Sequence, residues 1–393
     1  MQVGSKARGL VRVLRAPTFL NSNRFLSHGV PAIEAPSHSS RQQWRPHSAF
    51  SSQSLPFSGI IRQRIEQHSM CSMLTARASF SSVEVGPTEA VKELYNKMLK
   101  SVVAQTMPPN AWLWSLIEKC ENHEDIKLLF DMLQNLRRFR LSNLRIHENF
   151  NCNLCREVAK ACARVGALDF GKKTLRKHNV YGLTPSIGSV HHLLLYAKKH
   201  NDVGLMVEVM KLLKRNDLPY QSGTADIVFS ICYNTDNWQL ISMYSKKFVK
   251  AGVKLRETTF DTWMEFAAKI GDTESLWKIE KLRSEMMKQH SLRTGFSCAK
   301  GFLLERKPDN AASIIQLLIQ NLSVAKRAGV LVELQKLISE WSLEVVKRQK
   351  EEDRKALAAS LITDIPVMVS GLQNMGLELS VSMEELSKEG ALT

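Results

Sequence analysis

The chain has 393 residues, 44% of them apolar and 7% aromatic, with a formal net charge of +16. That apolar content suits an ordered protein with a sizeable core and excludes a wholly disordered chain, while the positive excess points to polyanionic partners. No uninterrupted apolar run approaches the ~20 residues of a membrane helix, and the best candidate, 358–372, carries Asp364 and Pro366, so a soluble protein without membrane contact is expected.

Residues 1–80 have a character of their own. They hold nine Arg and one Lys against Glu34 and Glu66, with many Ser and Gln, and contribute +8 of the net charge. This is the composition of an organellar transit peptide, to be set aside from fold reasoning. Lys6, Arg8, Arg12 and Arg15 among Val3, Leu10, Val11, Val13 and Leu14 suit a basic amphipathic helix. Arg77-Ala78-Ser79-Phe80-Ser81-Ser82 resembles a plant mitochondrial processing site. The expected address is the mitochondrial matrix, with the chloroplast as the alternative.

Beyond a linker at 81–87, residues 88–103 place Ala90, Val91, Leu94, Tyr95, Met98 and Leu99 at helical spacing and predict a helix that stops before Met107-Pro108-Pro109-Asn110. Residues 112–120 and 125–136 predict a helical pair around Glu121-Asn122-His123-Glu124. Residues 137–149, opening on Arg137-Arg138-Phe139-Arg140, read as a basic irregular insertion. Together 88–151 form a degenerate N-terminal repeat region.

From 152 to 291 the chain repeats against itself. Gly166, Asn201, Asp236 and Gly271 lie 35 residues apart, as do Cys162, Ala197, Cys232 and Ala267, and then Gly182, Asp217 and Gly252. A period in the range of roughly 20–50 residues marks an architecture of stacked units. Each of four units (roughly 152–186, 187–221, 222–256 and 257–291) has two apolar-periodic segments around a polar break, which predicts a helical hairpin. The small-residue column lets successive first helices approach. Past 291 the period blurs: 311–322 and 330–346 are helical, 356–375 is apolar and interrupted at Pro366, and 292–375 reads as degenerate repeats and a cap. The tail 376–393 is acidic.

Seven Cys show no secreted framework. Cys120-Glu121-Asn122-His123 and Cys152-Asn153-Leu154-Cys155 offer four zinc-type ligands on paper, but they flank a long basic stretch, and packing is the expected role. The catalytic inventory is short, with no GxxxxGK[ST], HExxH or GxSxG and no deaminase motif. His191 and His192 point about 100° apart on a helix and share a metal poorly. No catalysis, metal, cofactor or small-molecule substrate is expected.

The hairpin period, with the closing runs Gly182-Leu183-Thr184-Pro185, Asp217-Leu218-Pro219 and Ala251-Gly252-Val253-Lys254, resembles the pentatricopeptide repeat (PPR) family. Residues 89–110 and 243–254 resemble the second helix and closing turn of such repeats. The resemblance implies an all-α, right-handed α-solenoid of about six to eight helical hairpins that binds single-stranded RNA in an organelle. In that family the fifth and last residues of a unit choose the base. Here the pairs are Arg156/Ser186, His191/Gln221, Asp226/Arg256 and Asp261/Ser291. Arg, His and two Asp at the fifth position depart from the family's small or amide side chains. The wedge position beside the base holds Asn153, Gly188, Gly223 and Thr258, and glycine supplies no wedge.

Backbone contact fits the residues better than base reading. The position near the end of each first helix, which in the family touches phosphate, holds Arg164, Lys199, Asn234 and Lys269. Arg176, Lys211, Lys246 and Lys281 form a second column, one cation per unit on the second helix. Arg137, Arg138 and Arg140 add a basic loop with one aromatic. Such stripes suit a nucleic-acid backbone and read no sequence. The expected function is docking on structured RNA within the mitochondrial translation machinery, alongside ribosomal or other ribonucleoprotein subunits. A transcript-binding factor for RNA processing or stability, and a protein scaffold without RNA contact, are the alternatives.

Overall fold

A computed structural model describes residues 86–375 other than 144–146, 148 and 322–323, with side chains omitted for 324–328. Helices begin at Cys152, Ile187, Ser222, Glu257 and Leu292, and their partners at Leu168, Val203, Trp238, Thr273 and Pro308, each set 35 residues apart. The array therefore runs one pair further than the sequence predicts. Three helices precede the pairs: α1 (Glu89–Val103), α2 (Asn110–Lys119) and α3 (His123–Ser142). The pairs are α4 (Cys152–Val165) with α5 (Leu168–Thr174), α6 (Ile187–His200) with α7 (Val203–Arg215), α8 (Ser222–Asn234) with α9 (Trp238–Lys250), α10 (Glu257–Ile270) with α11 (Thr273–Met286), and α12 (Leu292–Leu304) with α13 (Pro308–Asn321). Then come α14 (Val324–Lys336), a π-turn (Leu337–Trp341), α15 (Ser342–Arg348) and α16 (Glu351–Asn374). The described residues contain no strand.

The 35-residue columns have a backbone cause. Gly166, Asn201, Asp236 and Gly271 end the first helices at φ of 82°, 50°, 55° and 78°. Gly182, Asp217 and Gly252 close the units at 69°, 54° and 67°. The left-handed region favours Gly and, among the rest, Asn and Asp, so those residues recur. Arg306 continues the first column at φ 60°, and an arginine there hides the fifth pair from a sequence reading. Three of these turns then start the next helix with a side-chain cap: the Asp202, Asn237 and Asp272 side chains accept from Leu205 N, Leu240 N and Ser275 N at 2.8, 3.0 and 2.9 Å. Asn151, Ser186 and Ser291 do the same for first helices, satisfying amides that a helix start leaves bare.

The first helices α2, α4, α6, α8, α10 and α12 each pack on the next, and in the five pairs each second helix packs on its own first helix. This is a helical repeat-like architecture. Cys162, Ala197, Cys232 and Ala267 are fully buried, as small residues at a close helix crossing should be. Between the helices lie Phe229, Phe248, Phe260, Phe266 and Phe296, all buried. Burying one such side chain contributes about 1.5–3 kcal/mol.

Three expectations are corrected. The chain from Arg137 to Ser142 is the last part of α3 rather than an irregular insertion, and Phe139 is buried. No Gly or Pro breaks that stretch, so the helix runs on. Second, α5 is only seven residues long, so Arg176, expected on the second helix, lies beyond its end. Asn179 organises the loop that follows: its Nδ2 donates to Arg176 O and Leu183 O at 2.8 and 2.7 Å, and its Oδ1 accepts from Tyr181 N and Leu183 N at 3.1 and 3.0 Å. Third, α16 continues through Pro366. The hydrogen bond missing at a proline is offset by burial of Leu361, Ile365, Met368 and Leu372 on the same helix. Among the described residues α16 alone is long and apolar enough to cross a membrane, and 44% of that window is buried inside the chain. Its Asp364, largely buried, lies 3.6 Å from Arg306.

The two ends are fastened differently. At the start, Asp125 of α3 is fully buried and accepts from Thr88 N at 2.8 Å and Glu121 N at 2.9 Å, tying the α1 cap to the α3 cap. At the other end, the chain from α14 to α15 returns to α10. Trp341 Nε1 donates to Ala268 O at 2.8 Å and Gln349 Nε2 to Ile270 O at 3.2 Å, so two late side chains satisfy carbonyls at the end of α10. Residues 1–80 and 376–393, read above as transit peptide and acidic tail, lie outside the described residues.

Candidate nucleic-acid interface

Lys211, Lys246 and Lys281 occupy the equivalent position of α7, α9 and α11, each exposed and without an ion pair. Their apolar neighbours Val209, Tyr244 and Ile279 turn inward, so amphipathic helix geometry alone puts these ammonium groups in water. Arg176 keeps the same offset but lies past the end of α5, in the turn, and is also exposed. The second-helix column is thus three helical lysines and one turn arginine. Lys214, Arg215, Lys247 and Lys250, exposed in the last turns of α7 and α9, join it, where cations also complement the helix C-terminus. These four fall outside the 35-residue column, although basic residues just ahead of each closing turn are a signal that the sequence carries.

The first-helix column is mostly spent inside the protein. Arg164 Nη2 donates to Ile117 O, Glu118 O and Cys120 O at 3.1, 2.9 and 3.0 Å, capping the end of α2. Lys269 Nζ lies 3.2 Å from Glu344 and 3.8 Å from Asp236. Asn234 donates to Asn201 Oδ1 at 3.3 Å. Lys199 alone of the column's cations is exposed and unpaired. The Arg137–Arg140 run is also partly structural. Arg137 donates to Asn179 O at 2.7 Å; Arg140 donates to His147 O and Asn149 O at 3.1 and 3.3 Å and lies 4.2 Å from the Phe150 ring centroid. Arg138 is exposed.

The positions assigned to base choice bond to one another. Arg256 donates to Asp226 Oδ2 at 3.2 Å, and Thr258 and Thr259 donate to Asp226 Oδ1. Ser291 Oγ donates to Asp261 Oδ1. His191 Nε2 is 2.8 Å from Thr224 Oγ1, and burial holds the ring below the ordinary imidazole value. A Cβ on Gly188 would come within 2.8 Å of Arg156 Cδ, so the missing side chain makes room for the arginine stem. Side chains that hold each other in this way leave few free donors or acceptors for a base edge.

No protein-family model matches the chain, and no curated protein is found similar to it. Functional reading therefore rests on the side chains.

One group of metal-capable side chains occurs among the described residues: Glu280, His290 and Cys298, with ligand atoms within 4.8 Å of one another. A cation already sits there. Arg283, buried, donates to both Glu280 oxygens at 2.7 and 2.8 Å and to Gln289 O at 2.9 Å, and its Nη2 is 3.2 Å from His290 Nε2. A divalent ion would face that guanidinium at contact distance, so the group is read as an ion network that fastens the α11–α12 turn. Cys152 and Cys155 part company: the first is exposed and the second buried, its thiol pushed up to about 11 chiefly by burial. Cys120, the upstream partner on paper, is also buried and pushed up to about 12, chiefly by burial. Thiols so poor in thiolate are packing residues.

Proposed function

We propose that the chain is a non-catalytic, PPR-like α-solenoid of the mitochondrial matrix that docks on RNA backbone as a component of the translation machinery. What carries this reading is a contrast between two sets of residues. Lys211, Lys246 and Lys281 stand free at equivalent positions, while Asp226, Arg256, Asp261 and Ser291, which would choose bases, are bonded to each other. Regularly spaced free cations attract phosphates whatever the sequence between them. Side chains closed on themselves favour particle docking over capture of one transcript.

Sedimentation of solubilised mitochondria on a sucrose gradient tests it. The protein should comigrate with a ribosomal subunit and leave that position when RNase destroys the particle. A light, RNase-sensitive peak would instead mark a transcript-binding factor. A light peak indifferent to RNase would leave a protein scaffold.

A further inference from the structure

The C-terminal segment lays a carboxylate across one end of the first-helix row. Lys269 and Arg348 meet Asp236 and Glu344 in a single cluster. Arg348 donates to Asp236 Oδ2 at 2.7 Å and to Glu344 Oε1 at 3.0 Å, and Lys269 lies 3.2 Å from Glu344. Two of these groups come from the repeat and two from α15, so the pairs cross between the repeat and the returning segment. Two cations against two carboxylates leave the cluster neutral. All four side chains remain partly exposed, from 20% for Lys269 to 46% for Asp236. Beneath them Trp341 is buried, with Lys300 Nζ 5.8 Å from its ring centroid. Leu337, Ile338, Val345 and Val346 are buried as well, so this is a packed element rather than a loose strap.

We propose that Glu344 of the C-terminal segment is a fixed internal counter-anion: with Asp236 it cancels Lys269 and Arg348 and withdraws those two cations from polyanion binding, which is left to the free lysines along the second-helix edge. This inference rests on the RNA-backbone reading above. On that edge Lys211, Lys214, Arg215, Lys246, Lys247 and Lys250 are exposed and make no ion pair. Apart from the segment's cluster, the first-helix column keeps one free cation, Lys199. Glu344 thus withholds Lys269 and Arg348 from a phosphate backbone at this end of the first-helix row.

The test removes an acid and looks for a gain. Binding of a fluorescein-labelled oligouridylate is measured over a salt series for the wild-type chain, Glu344→Gln, and Glu344→Gln with Lys269→Gln. Freeing one cation should tighten binding and steepen the log–log salt slope by about 0.7, the single-strand value per neutralised phosphate. Adding Lys269→Gln should cancel that gain. Glu352→Gln, exposed at the start of α16, adds the same net charge elsewhere and should do little. Asp236→Asn opens the cluster from the other side, and Asn tolerates the left-handed backbone at that residue. It provides a second variant should Glu344→Gln fold poorly. Wild-type binding that responds to neither carboxylate change, or responds no more than to Glu352→Gln, would overturn this inference alone. A chain that binds no oligouridylate in any variant would overturn the RNA-backbone reading and this inference with it.

Discussion

Replacing Asp125 by Ala should cost about 4 kcal/mol of stability, from a buried acceptor removed and its donors left bare. The carboxylate accepts from Thr88 N and Oγ1, Glu121 N and Asn122 N, and its residue is fully buried. Each stranded donor costs about 1–3 kcal/mol when water cannot reach it. Several of these are partly exposed, which keeps the total below the sum. Asp125→Asn, which retains one acceptor oxygen, should lie in between. Urea unfolding gives the magnitude, and amide exchange gives the place: Glu89–Val103 should exchange faster while the five pairs stay protected. A loss under about 1 kcal/mol would mean that solvent replaces the carboxylate and that this fastening is dispensable.

The Arg283 network supplies the second large effect. Arg283→Leu strands Glu280 in a largely buried site and should cost about 3–5 kcal/mol, whereas Arg283→Leu with Glu280→Leu should recover most of it. The same cluster sets a pH dependence. Burial, with Arg283 adding to it, holds the His290 imidazole below its ordinary value, although Glu280 pulls the other way. The folded chain therefore resists a proton that the unfolded chain accepts at about pH 6.5. Stability is full above that pH and falls as pH drops from there toward the lower folded value. His191 and His192, also held low chiefly by burial, act with the same sign. Unfolding followed across this range should show a shallower acid slope in His290→Gln than in the wild type. An unchanged slope would assign the effect to the other two.

Much of the fold was legible because its rule is local. A left-handed residue ends each first helix, and only a few residue types sit there cheaply, so Gly166, Asn201, Asp236 and Gly271 announce the period by themselves. Arg306 breaks that chemical rule while keeping the geometry, and the fifth pair is lost to a reader of residue types. The short α5 was hidden for a related reason, since the Asn179 side chain that holds the loop after it acts on carbonyls and amides rather than through a period. The candidate interface was legible only in part. Exposure of Lys211, Lys246 and Lys281 follows from helix periodicity. The fates of Arg164 and Lys269 do not, because their partners are 44–47 and 75 residues away in sequence and no local pattern links them. A cation column read from spacing counts charges before the protein has used any of them.

The most direct measurement of the central claim is the salt dependence of RNA binding after Lys211, Lys246 and Lys281 are all changed to Ala. If each of these lysines neutralises one phosphate, the single-strand log–log slope should fall in magnitude by about 2, equally for RNAs of different sequence. A slope that does not move, or a strong preference for one RNA sequence that survives the change, would contradict backbone docking through this column.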